Sequence, residues 1–217
     1  MSEPMIWLIG RGLWETIVMT FFSGFLGFII GLPAGVLLYI SRPEQFMKNS
    51  TLYRLLSAWI NVFRAIPFII LLVWMVPFTR MLVGTSIGLQ AAIVPLTVCA
   101  IPFIARMAEN VLLEIPSGLT EAARAMGATP MQIVRKILLP EALPGLINTV
   151  TITLITLVGY SAMGGAIGAG GLGHIGYQYG YIGYNALVMN TVLILLVLLV
   201  YFIQYTGNRL IRAVNHR

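Results

Sequence analysis

Aspartate is missing altogether from this 217-residue chain, and the charged residues that remain, 13 Lys and Arg with 7 Glu, make up only 9% of it. Soluble domains carry about 25% charge. So few charged side chains cannot solvate a globule of this size, and with 59% hydrophobic residues and a mean hydropathy of +0.91 the remaining surface must face lipid. That excludes a soluble enzyme. Cysteine is almost absent too. Cys99 stands alone in an apolar run, so one chain can form no disulfide framework and no Cys-based metal site. Its simplest use is as a small buried hydrophobe. His174 and His216 have no ligand set around them, and no paired acids or Ser-His-Asp pattern suggests catalysis. The phosphate-binding pattern G-x-x-x-x-G-K-[ST] is lacking, so ATP is not bound by that route.

Long apolar runs are what the sequence has in plenty. A membrane span needs about 20 apolar residues, and five segments qualify, roughly 14–40, 65–83, 87–108, 142–163 and 185–206. We therefore expect one all-α integral membrane domain of about five transmembrane helices. The start, Met1-Ser2-Glu3-Pro4, lacks the basic region of a cleavable signal peptide, and the first run reads as a permanent span. Within it Gly27, Gly31 and Gly35 recur every fourth residue and bare one face for close helix packing. Segment 51–64 is amphipathic and too polar to span, which places it along the interface. Pro95 and Pro102 remove backbone donors from the third span and are expected to bend it.

The net charge of +6 belongs to topology rather than to nucleic acid, because the basic residues sit between apolar runs. One side takes Arg42, Lys48, Arg54, Arg64, Arg106, Arg124, Arg135, Lys136, Arg209, Arg212 and Arg217; the other takes Arg11 and Arg80. Eleven against two puts the loops 41–64 and 107–141 and the C-terminus in the cytoplasm, with the N-terminus outside.

The cytoplasmic segment 107–141 carries the most specific pattern. Ser117 after Pro116 reads as an N-cap, and Gly127 stands where a left-handed residue ends that helix. Thr129, Pro130 and Gln132 read as a capping box opening a second helix, with Pro140 and Pro144 punctuating the approach to the fourth span. Drawn this way, Leu119, Ala122, Ala123 and Met126 lie near one face. An apolar cytoplasmic face needs a partner, either its own bundle or another protein.

Glu121-Ala122-Ala123, three residues, Gly127, nine residues, then Ile137, one residue, Leu139-Pro140 resembles, at every position, the EAA motif of bacterial ABC importer membrane subunits. Across the whole chain, including Phe63 to Pro67, Val76-Pro77-Phe78 and residues 159–185, the sequence is similar to the permeases of methionine-uptake ABC importers. The resemblance implies a type I importer permease fold in the bacterial plasma membrane. It implies that the loop is a coupling helix, with Leu119, Glu121, Ala122, Ala123, Met126 and Gly127 engaging an ATPase. It further implies a second copy of this chain, two ATPase subunits that bind ATP and magnesium, an extracytoplasmic methionine-binding protein, and methionine in its L- and D- forms as cargo. This chain itself would hold no cofactor. A permease for another amino acid is the nearest alternative.

The fourth span adds a polar stripe. Thr149, Thr153, Thr156 and Tyr160 recur at four, three and four residues, and Met163 continues the line. Polar groups inside a span face protein or water, so the stripe either packs between helices or lines a path. Met163, the one bulky side chain among Ser161, Ala162, Gly164, Gly165 and Ala166, is either ordinary packing or a plug where two copies meet. Thr85 and Ser86 read as a cap of the third span, where an anion is also favoured. Residues 168–173, GAGGLG, satisfy a dinucleotide-binding pattern but follow an apolar helix and precede no acidic residue, so a tight re-entrant turn is expected instead. Tyr177, Tyr179, Tyr181, Tyr184 and His174 form an uncharged rim suited to the interface or to a substrate-delivering protein.

A secondary transporter driven by protons or sodium normally needs an ionisable group inside the membrane, and all seven glutamates lie at or beyond the expected span ends. The polar stripe does not favour a non-transporting scaffold, and an intramembrane enzyme lacks its residues.

Overall fold

The computed structural model describes residues 3–214. Met1 and Ser2, and His216 and Arg217 of the basic tail, lie outside the described residues. The first helix, α1, runs Glu3–Ser41, starting well before the expected 14, and its apolar first turns pack Met5, Leu8 and Ile9 against Leu172, Ile175 and Val188. Helix α5, Leu89–Leu113, packs along it. A Cβ on Gly27 would lie 2.7 Å from that of Ala100, and one on Gly35 would lie 2.5 Å from the Ala105 carbonyl. The bare glycine face therefore brings the two backbones almost into contact. Pro95 and Pro102 stand inside α5 without ending it.

The second expected span is not one helix. Helix α2, Ser50–Ala65, is amphipathic and opens on Asn49, whose side chain accepts from the Leu52 amide. It ends at Ile66 in extended backbone, and α3, Phe68–Trp74, leaves at a bend of 99°. Pro67 dictates this, having no N–H to continue the ladder and forcing the residue before it out of the helical region. A further helix, α4 (Val76–Val83), follows after Met75, with Pro77 in its first turn. Among the described residues four helices are long and apolar enough to cross a membrane, and α2 with α3 passes that test only as a pair broken at the 99° bend.

The segment expected as a cytoplasmic loop, 107–141, is mostly helical. It holds the last turns of α5, then α6 (Ser117–Ala125), then α7 (Pro130–Ile133). Pro116, not Ser117, occupies the cap position of α6, and no side chain caps it. Helix α7 does not stop before the fourth span. It passes through a π-turn, Val134–Leu138, into α8, Leu139–Gly165, as one body of 36 residues. Pro140 has no N–H and its ring crowds the turn before it; the wider turn, with the Leu139 amide bonded to the Val134 carbonyl, accommodates both. The chain closes with α9 (Gly171–Ile175), a π segment Gly176–Ile182, and α10 (Ala186–Val214).

One end of the bundle is tied by Tyr39, Leu112, Ala123, Ile133 and Leu138, and the other by Ile9, Leu172, Ile175 and Val188. At the first end sits a charge node absent from the sequence reading. Helix α5 continues past the expected end of span three at 108, so Glu109 lies within it, 1% exposed. Its carboxylate accepts from Arg42 at 3.4 Å and from Arg106, while Arg106 also donates to Ser57 and Asn61 of α2. Helices α1, α2 and α5 are thereby pinned at one point. Removing one partner of a buried ion pair costs about 3–5 kcal/mol. Glu109→Ala is thus expected to lower the thermal unfolding midpoint of the detergent-purified protein sharply, with Glu109→Gln intermediate. An unchanged midpoint for Glu109→Ala would show that the node carries no load.

Candidate functional site

Two regions are joined by the 36-residue helical body. At the end near the charge node, α6 packs into the core shared with Leu112, Ile133 and Leu138. Its inward positions are Thr120 and Ala123, one turn apart and both buried, and the Thr120 hydroxyl donates to the Ser117 carbonyl. Ala123, 1% exposed, belongs to the core and not to the outer face expected for it; with a single methyl it lets α6 lie close. Leu119, Glu121, Ala122 and Met126 remain outward, Met126 being 81% exposed. Leu119, Ala122 and Met126, three and four residues apart, make one apolar stripe. Met131 at the start of α7 is exposed as well.

Gly127 ends α6 as the spacing suggests. Its φ is +81°, its amide donates to the Arg124 carbonyl, and the Ala128 amide donates to the Ala123 carbonyl. That pair is the Schellman arrangement. Thr129 then caps α7, its hydroxyl accepting from the Gln132 amide while the Gln132 side chain accepts from the Thr129 amide. The turn between α6 and α7 is therefore held by hydrogen bonds on both sides of Gly127 and Thr129.

Within the membrane, the face of α8 carrying the stripe meets the α2–α3 elbow and α5 around a cavity of about 230 Å³. Thr153, Thr156 and Tyr160 line it, with Phe63, Arg64, Cys99 and Phe103, which the sequence reading had not grouped with them. Thr149 is fully buried and does not reach it. Each threonine hydroxyl donates to a carbonyl one turn back: Thr149 to Gly145, Thr153 to Thr149, and Thr156 to Ile152. The Tyr160 ring stacks on Phe68, centroids 4.5 Å apart. Met163, 46% exposed, stands near the end of α8. Ser86 lies beside a separate small cleft between α3, α4 and α5. Neither it nor Thr85 caps α5: Gly88 holds that position, and the Thr85 hydroxyl is turned to the Ile87 backbone.

The glycine-rich segment is a tight turn, with positive φ at Gly168, Gly170 and Gly171. The freed amides of Gly171 and Leu172 donate to Glu15 and to the Thr16 hydroxyl, both at 2.9 Å. That anchor on α1, 156 residues away, left no local trace in the sequence. His174 is near the Gly165 carbonyl at 3.2 Å, and Tyr177, Tyr179, Tyr181 and Tyr184 are exposed at this end. Among the described residues no group of three or more His, Cys or Glu side chains can hold a metal ion.

The chain is thus a bundle of helices long and apolar enough to cross a membrane, with an apolar-faced helix at one end. The family model described as "Binding-protein-dependent transport system inner membrane component" matches residues 8–215, and the chain belongs to that family. The D-methionine transport system permease protein MetI of Escherichia coli is 77% identical over 165 residues, 76% of each chain. The "Probable D-methionine transport system permease protein MetI" of Vibrio cholerae is 50% identical over 210 residues, 97% of this chain and 93% of that one. A solved structure described as inward-facing conformations of the MetNI methionine ABC transporter matches with a TM-score of 0.98 at 76% identity, covering both chains completely. A crystal structure of an amino acid ABC transporter with histidines shares the fold at 20% identity and a TM-score of 0.73, covering 97% of this chain and 94% of that one.

A Cβ at Gly127 would meet nothing within 4 Å, so backbone conformation alone requires glycine there. Gly127→Val forces a branched residue into left-handed backbone at roughly 1–2 kcal/mol. The expected result is a loosened α6–α7 turn, reduced copurification of an ATPase partner, and reduced uptake. Full retention of both would remove the turn from the coupling machinery.

Proposed function

We propose that the chain is the permease subunit of an ATP-driven importer that carries methionine, L- and D-, inward across the bacterial inner membrane. Two copies pair around a shared path, two ATPase subunits bind ATP with its magnesium ion, and an extracytoplasmic binding protein delivers the substrate. The relatives named for methionine transport support the cargo. The observation that carries the mechanism is the unbroken helical body Pro130–Gly165, which joins the coupling turn to the face bearing Thr153, Thr156, Tyr160 and Met163.

In this reading the end bearing α6 faces the cytoplasm, in line with the Lys and Arg residues of segments 42–64 and 106–136. The C-terminus lies on that side and the N-terminus outside. The ATPase takes hold of the Leu119, Ala122 and Met126 stripe, with Glu121 offering its charge. When the ATPases close on ATP they draw the two α6 helices together. The Schellman turn and the capping box pass that movement to α7, and the rigid body swings its far end, opening the path outward. Met163 of each copy closes the path at rest.

Labelled methionine is expected to accumulate in liposomes that hold the transporter with ATP sealed inside and binding protein outside, whether or not an ionophore collapses ion gradients. Loss of uptake with the gradient would overturn the importer class, and ATP-driven uptake of some other amino acid alone would overturn the cargo. Met163→Ala is expected to raise ATP hydrolysis in the absence of binding protein and to lower the uptake obtained per ATP. Unchanged values of both would leave Met163 as packing.

A further inference from the structure

The cavity under the α2–α3 elbow is chemically divided. Arg64 is its only charged lining group, and no carboxylate lines it. Among the described residues no ion pair is formed by Arg64, unlike Arg11, Arg42 and Arg106. On α8, Thr156 lines the cavity and has given its hydroxyl proton to the Ile152 carbonyl one turn back, while Thr153 on the same face is buried. The Thr156 oxygen is left with acceptor capacity. Phe63 and Phe103 add aromatic surface to the lining, and Tyr160 is held in place by its stack on Phe68. A cation, a hydroxyl acceptor and aromatic surface around one cavity are the complement of a zwitterion with an apolar side chain.

We propose that this cavity is a transient site for one α-amino acid on its way through the permease, with Arg64 holding the carboxylate. The ammonium is held by the Thr156 oxygen, and the apolar side chain lies against Phe63 and Phe103. A thioether is well matched to such a wall, since sulfur–aromatic contacts are favourable. The choice of methionine as the probe rests on the cargo proposed above. The guanidinium sits in the last turn of α2, directly before the Pro67 elbow. A swing of α8 against that elbow changes the distance between Arg64 and Thr156, so the site forms and dissolves as the path opens. Arg64 is thus a specificity residue as well as a basic residue at the membrane boundary.

Cys99 lines the same cavity and is the chain's only cysteine, so its alkylation reads occupancy directly. The purified permease–ATPase complex would be treated with N-ethylmaleimide and the permease chain followed by intact mass. At methionine about ten times its half-protecting concentration, alkylation is expected to slow roughly tenfold. Methioninol, which lacks the carboxylate, is expected not to protect. Arg64→Gln should weaken protection by roughly ten- to a hundredfold, as for a lost hydrogen bond to a charged group, and Arg64→Lys should keep part of it. Equal protection by methioninol, wild-type protection in Arg64→Gln, or no protection in a complex that takes up methionine would overturn the site. Failure of the unaltered complex to take up methionine falls instead on the cargo assignment, and Cys99 protection by the amino acid it does carry, lost in Arg64→Gln, would still uphold the site.

Discussion

The rest of the bundle hangs on the contact between α1 and α5. Lipid offers these helices no hydrophobic reward for leaving it, so association comes from close packing and from polar groups that find each other. Gly27, Gly31 and Gly35 supply the packing by letting the α5 backbone approach the bare face of α1. Glu109 supplies the polar lock at one end, drawing in Arg42 from beyond α1 and Arg106 from its own helix. At the other end Glu15 and Thr16 of α1 hold the amides of the glycine-rich turn. With this pair fixed, α8 packs against both helices, and α10 closes the far side against α8.

What the sequence revealed and what it hid divide along the range of the interactions. The left-handed Gly127 and the Thr129 capping box depend on neighbours within a few residues, and the glycine stripe shows as a four-residue repeat although its partner α5 is distant, so spacing was enough to find all three. Four of the five expected spans were legible because hydropathy needs no partner. Glu109 was hidden because its meaning depends on Arg42, 67 residues away, and its position at a span edge gave it the look of a solvated group. The elbow at Ile66-Pro67 was written in the prolines, but the apolar run around it outweighed them when 65–83 was read as a single helix. Ala123 was misplaced for a different reason: an alanine is equally at home on a docking face and against a core, and only the packing of α6 decides.

The two candidate regions are far apart and yet mechanically close. A helix of 36 residues is about 54 Å long, and a rod of that length turns a small displacement at one end into a coordinated one at the other. The π-turn before Pro140 keeps this rod whole where a proline would otherwise have kinked or broken it. The carbonyl-bonded threonines belong to the same economy. They give this face of α8 oxygen acceptors while leaving none of their own hydroxyl protons unpaired.

The elbow between α2 and α3 also bears on how the protein sits in its bilayer. Helix α2 turns by 99° from the helix that enters the membrane and exposes Leu55, Trp59 and Val62 along its length. Such an apolar face suits the headgroup boundary, and Arg106 ties the helix to the α5 end through Ser57 and Asn61. With α2 on that boundary, the depth of the transporter would be gauged from one membrane surface rather than from the thickness of the hydrocarbon, and a thicker or thinner bilayer would be felt mainly at the glycine-turn end.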